Sequence, residues 1–188
     1  MSGALIIGIV VIGLLILVGL WFLMTYNGLV GLRNQVKNAW AQIDVQLKRR
    51  HDLIPNIVET VKGYAKHESG TFEMVVKARS AAVSASGVQA QAKAEGELSG
   101  VLSRLMAIAE AYPDLKANQN FLALQEELSS TENKIAFSRQ AYNDQVMIYN
   151  TRIQMIPSNI VAGIGGFTAS DLFELQDEAQ RAAPSVKF

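Results

Sequence analysis

The sequence predicts an all-α protein in which a single amino-terminal membrane-spanning helix continues into a long antiparallel helical bundle. Four helices in up-and-down order are favoured, and three helices are the alternative. Three observations predict this. The run from Gly3 to Met24 carries no charge. Beyond it, apolar residues recur at alternating spacings of four and three, the repeat of helices packed nearly parallel or antiparallel. No strand-like alternation of useful length interrupts that pattern.

The charge-free run, "GALIIGIVVIGLLILVGLWFLM", extends roughly 33 Å as a helix, enough to cross a hydrocarbon core. A cleaved signal peptide would have a basic start, a shorter apolar centre and a small-residue cleavage site. Here only Met1 and Ser2 precede the run and bulky "WFLMTY" ends it, which predicts an uncleaved anchor. Trp21, Phe22 and Tyr26 suit the aromatic belt at a membrane surface. Gly8, Gly13 and Gly19 give the anchor small positions for packing against neighbouring spans, though not at GxxxG spacing. Arg33, Lys37, Lys48, Arg49 and Arg50 all follow the span, so the positive-inside rule puts the short amino terminus outside and the body in the cytoplasm.

The seam then runs Leu29, Arg33, Val36, Trp40, Ile43, Leu47, Arg50, Ile54, Ile57, Val61 and Tyr64, extending helix one to about residue 67. Ser69 and Gly70 supply the stop and Thr71 the restart. A second helix is expected over about 71–84, ended by the small-residue break "SASG". A third is expected over about 88–112, with Leu98, Val101, Leu105, Ile108 and Tyr112 on one face and Pro113 as its stop. The fourth, about 117–156, repeats the spacing through Phe121, Leu124, Leu128, Ile135, Tyr142, Val146, Tyr149, Ile153 and Ile156, and ends at Pro157. "PSNIVAGIGGF", residues 157–167, is apolar and uncharged, with glycines that oppose regular helix. "ASDLFELQDEAQRAA" suits a short amphipathic helix using Leu172, Phe173 and Leu175, and "PSVKF" a loose tail. The expected division is an anchor (1–25), a bundle (26–157), and an apolar Gly-rich segment with its tail (158–188).

Several stretches resemble the LemA family, in order, from Tyr26 to about Phe167. They are "YNGLVGLRNQVKNAWAQIDVQLKRRHDLIPNIVETVKGYAKHE", "VKARSA", "AYPDLKANQNFLALQEELSSTENKIAFSRQAYNDQVMIYNTRI" and "PSNIVAGIGGF". The resemblance implies a bacterial protein of the inner (cytoplasmic) membrane with one amino-terminal span and a helical-bundle body. It also implies the company of membrane proteases, as an association only. "TASDLFELQDEA" departs from the family's more basic stretch.

Composition narrows the function. Lys plus Arg and Asp plus Glu each number 17 in 188 residues, and no groove-reading motif or aromatic-interleaved basic face is present, so no nucleic-acid partner is expected. Zero cysteines exclude disulfides and thiolate chemistry. The only histidines, His51 and His67, lie roughly 24 Å apart on one straight helix, too far to share a metal or a proton. Neither GxSxG nor a phosphate-binding GxxxxGK[ST] occurs, and the Glu-x-x-His pairs of a di-metal bundle are missing. No cofactor, metal or catalytic residue is predicted, and the protein is expected not to be an enzyme.

Within the seam, Arg50 is the residue that asks for a partner, because a buried guanidinium needs an acid from another helix. Glu126, Glu127, Glu132 and Asp144 are the candidates. Pro55 removes one helical hydrogen bond, frees the carbonyl of His51 and predicts a bend, with Asn56 placed to satisfy the freed group locally. Arg50, Pro55 and Trp40 are therefore the expected register positions. In an up-and-down bundle the fourth helix returns toward the membrane, which puts Ile160, Val161, Ile164 and Phe167 at a membrane-proximal or subunit contact. Two functional classes follow. One is a membrane-anchored scaffold that self-assembles as a homo-oligomer in the lipid bilayer; the other is a regulatory accessory subunit of another membrane protein, such as a protease or sensor.

Overall fold

A computed structural model of the chain describes residues 3–174. The described residues form six helices and no strand: α1 (Gly3–Tyr64), α2 (Ser69–Ser84), α3 (Val88–Glu110), α4 (Pro113–Lys116), α5 (Gln119–Gln154) and α6 (Ser158–Ile164). The chain gathers into two compact units. Of the described residues, an anchor unit holds 3–40 together with Asn143–Ser170, and a body unit holds Ala41–Tyr142 and 171–174.

The body unit has one apolar core. Leu53, Ile54, Ile57, Val58 and Val61 of α1 meet Phe72, Val75 and Ala82 of α2, Leu98, Leu102 and Leu105 of α3, Leu115 of α4, and Phe121 and Leu128 of α5. The predicted seam accounts for the α1 side: Ile43, Leu47, Arg50, Ile54, Ile57 and Val61 are all buried, whereas Tyr64 is exposed. Burying several such side chains, each contributing about 1.5–3 kcal/mol, is what overrides the poor helix propensity of the β-branched residues here.

The boundaries shift for local reasons. Helix one ends at Tyr64 rather than near residue 67, because the chain turns around fully buried Ala65, whose N–H still bonds the Val61 carbonyl. Ser69 and Gly70 consequently open α2 instead of separating the helices. Pro113 does more than stop α3: with φ already suited to a first helical turn it begins α4. Asn118 then caps α5, its Oδ1 accepting the N–H groups of Asn120 (2.9 Å) and Phe121 (3.1 Å). Helix α1 continues through Pro55.

In the anchor unit, the α1 side chains from Gly3 through Trp21 are exposed. Burial begins with half-buried Phe22, then Thr25 and Leu29. Val146 and Tyr149 of α5 and Val161 and Ala162 of α6 are buried in the same unit. Residues 158–164 are helical despite their glycine, the inward face of Val161 and Ala162 outweighing a propensity cost of about 1 kcal/mol. The Ile156–Pro157 peptide is cis. Gly165 is required sterically, since a Cβ there would stand 2.6 Å from the Phe167 ring and 3.0 Å from that of Tyr26, and Gly166 takes a positive φ of 66°.

Residues 167–174 are not helical, in contrast to the amphipathic helix expected from 169 onward; Leu175 and the "PSVKF" tail lie outside the described residues. The segment is held instead by side chains of α5 that bond its backbone. Tyr149 donates to the Thr168 carbonyl (2.9 Å), and Asn150 bonds both the N–H and the carbonyl of Ser170 (2.9 Å each). In the body unit, Tyr142 donates to the Asp171 carbonyl (2.8 Å), and Phe173 is fully buried.

Candidate functional site

The polar centre of the body unit grows from Arg50. The seam turns this side chain inward, and only 2% of it is exposed. Its guanidinium donates to a carboxylate oxygen of Glu95, to Glu132 Oε1 (2.7 Å) and to Ser99 Oγ (3.0 Å). The other Glu95 oxygen accepts from His51 Nε2 (2.8 Å) and from the Gln91 amide (2.7 Å). A cation buried this deeply is tolerable only when paired and hydrogen-bonded, and two carboxylates of different exposure do this: Glu95 is buried, and Glu132 is 38% exposed. Arg50 Nε is buried without a hydrogen-bond partner.

His51 is neutral. Burial, then the neighbouring Arg50 and Arg79 guanidiniums, hold its pKa down at about 4, against the weaker pull of Asp52 and Asp44. The imidazole therefore donates through Nε2 as a neutral ring.

The carbonyl that Pro55 frees has an unexpected partner. Arg79 Nε, from α2, donates to His51 O at 2.6 Å, so the group is satisfied from another helix and not by Asn56. This charge-assisted bond ties α2 to the place inside α1 where the proline leaves a carbonyl spare.

Of the four acids proposed for Arg50, Glu132 meets it. Glu127 pairs with Arg49 (2.7 Å), and both of those side chains are about half exposed. Glu126 lines an open groove of about 610 Å³ with Gln46, Asn133 and Phe137, and Asp144 belongs to the anchor unit. The buried acid Glu95 and the arginine Arg79 were both missed. Each had a signal: Glu95 precedes Leu98, Leu102 and Leu105 at spacings of three, four and three, and Arg79 falls in the same pattern between Phe72, Val75 and Ala82.

The remaining predicted positions divide. Pro55 is exposed and Trp40 half-buried. Gly8, Gly13 and Gly19 have open space wherever a Cβ would stand. Val161 and Phe167 face inward, while Ile160 and Ile164 face outward at 58% and 71% exposure. The Phe167 ring packs edge-on to Tyr26 (centroids 5.4 Å apart), and Arg33 lies over it at 5.0 Å.

Beside Arg50 lies a cleft of about 310 Å³, also lined by Glu95, Ser99, Glu132, Arg139 and Phe173. Of its two guanidiniums, that of Arg50 is already paired with two carboxylates, and the imidazole hydrogen-bonded to Glu95 is neutral, an arrangement suited to fixing helices. Among the described residues no group of three or more His, Asp or Glu side chains is placed to hold a metal ion.

Fold and site together define an all-helical protein whose described residues include one helix long and apolar enough to cross a membrane, with a body tied by an interhelical charge cluster. The chain belongs to the LemA family, whose model matches residues 39–188. It is similar to magnetosome protein MamQ 2 of Paramagnetospirillum magneticum, with 26% identity over 178 residues covering 81% of this chain and 65% of that protein. It is also similar to magnetosome protein MamQ of Magnetospirillum gryphiswaldense, with 25% identity over 177 residues, 80% of this chain and 65% of that protein. With protein LemA of Metamycoplasma hominis it shares 26% identity over 140 residues, 72% of this chain and 63% of that protein. The chain thus spans about 65% of the length of these curated relatives.

Proposed function

We propose that this protein is a membrane-anchored, non-enzymatic helical scaffold that acts through contacts and self-assembles in the inner membrane, its body in the cytoplasm. The observation that carries the reading is the α1 segment from Gly3 to Trp21, apolar apart from its glycines and exposed along its whole length. Such a surface needs lipid or other spans around it. Gly8, Gly13 and Gly19, open on the surface, favour close approach by another copy.

We read the body as an antiparallel bundle whose register the Arg50 cluster fixes. Tyr64 meeting Asn118, the cap residue of α5, while Arg50 meets Glu132 supports this, since a step back along α1 is matched by a step forward along α5. The test is the particle mass of the full chain extracted in native lipid, compared with the variant Gly8→Leu, Gly13→Leu, Gly19→Leu. A defined oligomer that falls to smaller mass in the variant is expected. Monomers in both would sink self-assembly and turn attention to co-purified membrane proteins, with Phe137, 75% exposed beside Gln46, as the first docking feature to probe.

A further inference from the structure

We propose that the α6 region is a second membrane contact, a foot whose residues Met155, Ile156, Ile160 and Ile164 lie in the interfacial layer of the bilayer beside the end of the span. This rests on the anchor reading above.

Depth is the first argument. Along α1 the covering of side chains starts at Phe22 and Thr25, at the last turn of the charge-free run. Tyr26, two residues past that run, touches the Phe167 ring, and it would collide with any side chain added at Gly165. The backbone directly following α6 is thereby fixed at the level where the span ends.

Surface chemistry is the second. Within α6, Ile160 and Ile164 stand four residues apart and are 58% and 71% exposed, while Val161 and Ala162 take the inward face; in the turn before α6, Ile156 and Met155 are 82% and 49% exposed. No charged residue occurs between Arg152 and Asp171. An element whose outer face is apolar apart from Asn159, uncharged and held at the edge of a span matches the geometry of a segment lying in the headgroup and acyl boundary. Lipid is favoured over a second copy because the anchor already delivers this face to the bilayer, so contact requires no further association. The attraction is apolar rather than ionic and is therefore insensitive to salt.

The test uses the full chain, whose lack of cysteine makes single labels unambiguous. Nitroxides are placed at Ile156→Cys, Ile160→Cys, Ile164→Cys, at Leu14→Cys in the span and at Val76→Cys on the body. The chain is reconstituted in phosphatidylethanolamine and phosphatidylglycerol vesicles, and collisions with oxygen and with a nickel chelate are compared. The oxygen-to-nickel ratio at the three isoleucine sites is expected to exceed that at Val76 several-fold and to persist in high salt. A Val76-like ratio at all three, with Leu14 in lipid, overturns the foot and leaves the anchor reading standing. An aqueous Leu14 overturns both. Low collision rates with both oxygen and nickel at Ile160 and Ile164, the signature of a label packed against protein, assign the face to a second copy and overturn the lipid contact.

Discussion

Arg33 and Arg50 both fall on the helical seam of α1, yet the two units accommodate them by opposite means. In the anchor unit Arg33 lies over the face of Phe167, and its Nε is buried with no hydrogen-bond partner. In the body unit Arg50 is enclosed by two carboxylates and a hydroxyl. An aromatic face attracts a cation without demanding a particular rotation, whereas carboxylates demand aligned donors. The first arrangement tolerates sliding of one element past another. The second specifies which turn of α1 faces which turn of α3 and α5.

The contrast is broken most directly by Arg50→Ala, which leaves Glu95 buried without its cation. A loss of about 3–5 kcal/mol is expected in denaturant unfolding of the full chain in detergent. A loss comparable to that of a surface pair would show that the cluster is not what fixes the body. Next in size is a pH effect. His51 is held near 4 in the folded chain against 6.5 when unfolded, so only the unfolded chain takes up this proton as pH falls through 6.5. Stability from this group is complete above about 6.5 and declines toward about pH 4, by on the order of 2–3 kcal/mol. His51→Asn should flatten the slope between about pH 7 and pH 5; an unchanged slope would place the titration elsewhere.

Arg79→Ala strands the His51 carbonyl and is expected to cost about 1–2 kcal/mol. The same substitution made together with Pro55→Ala should cost much less, because residue 55 then supplies the helical N–H that the carbonyl lacks. Additive effects would dissociate Arg79 from the proline. The smallest change is expected at Arg33→Leu, about 1 kcal/mol or less, since an apolar side chain keeps contact with Phe167 and leaves no carboxylate behind. A loss matching that of Arg50→Ala would erase the distinction between the two units.

Much of the architecture was legible because α1 and α5 repeat one spacing for many turns, and a sustained period leaves little choice about which residues face inward. Arg50 could be singled out for the same reason: it is a charge in an apolar series. Its main partner could not, because α3 reads ambiguously. Leu98, Val101, Leu105 and Ile108 make a plausible stripe, and so do Leu98, Leu102 and Leu105 with Glu95 before them; only the second is buried, and the small residues on both sides of Glu95 leave the two equally apolar in the sequence. Residues 158–164 mislead in another way. Local propensity argues against helix there, and only burial of Val161 and Ala162, a tertiary effect, decides it.

The non-helical segment after α6 has a consequence for which substitutions the chain can absorb. Tyr149, Asn150 and Tyr142 bond the main-chain atoms of Thr168, Ser170 and Asp171, and the side chains of Thr168, Ala169, Asp171 and Leu172 point to solvent. What is recognised is the path of the peptide, which any residue but a proline at 170 can supply. Substitutions at the exposed positions 168, 169, 171 and 172 are thus expected to leave the segment in place. The discriminating information sits on α5, where losing a phenol or an amide would release a stretch whose own letters had never specified its position.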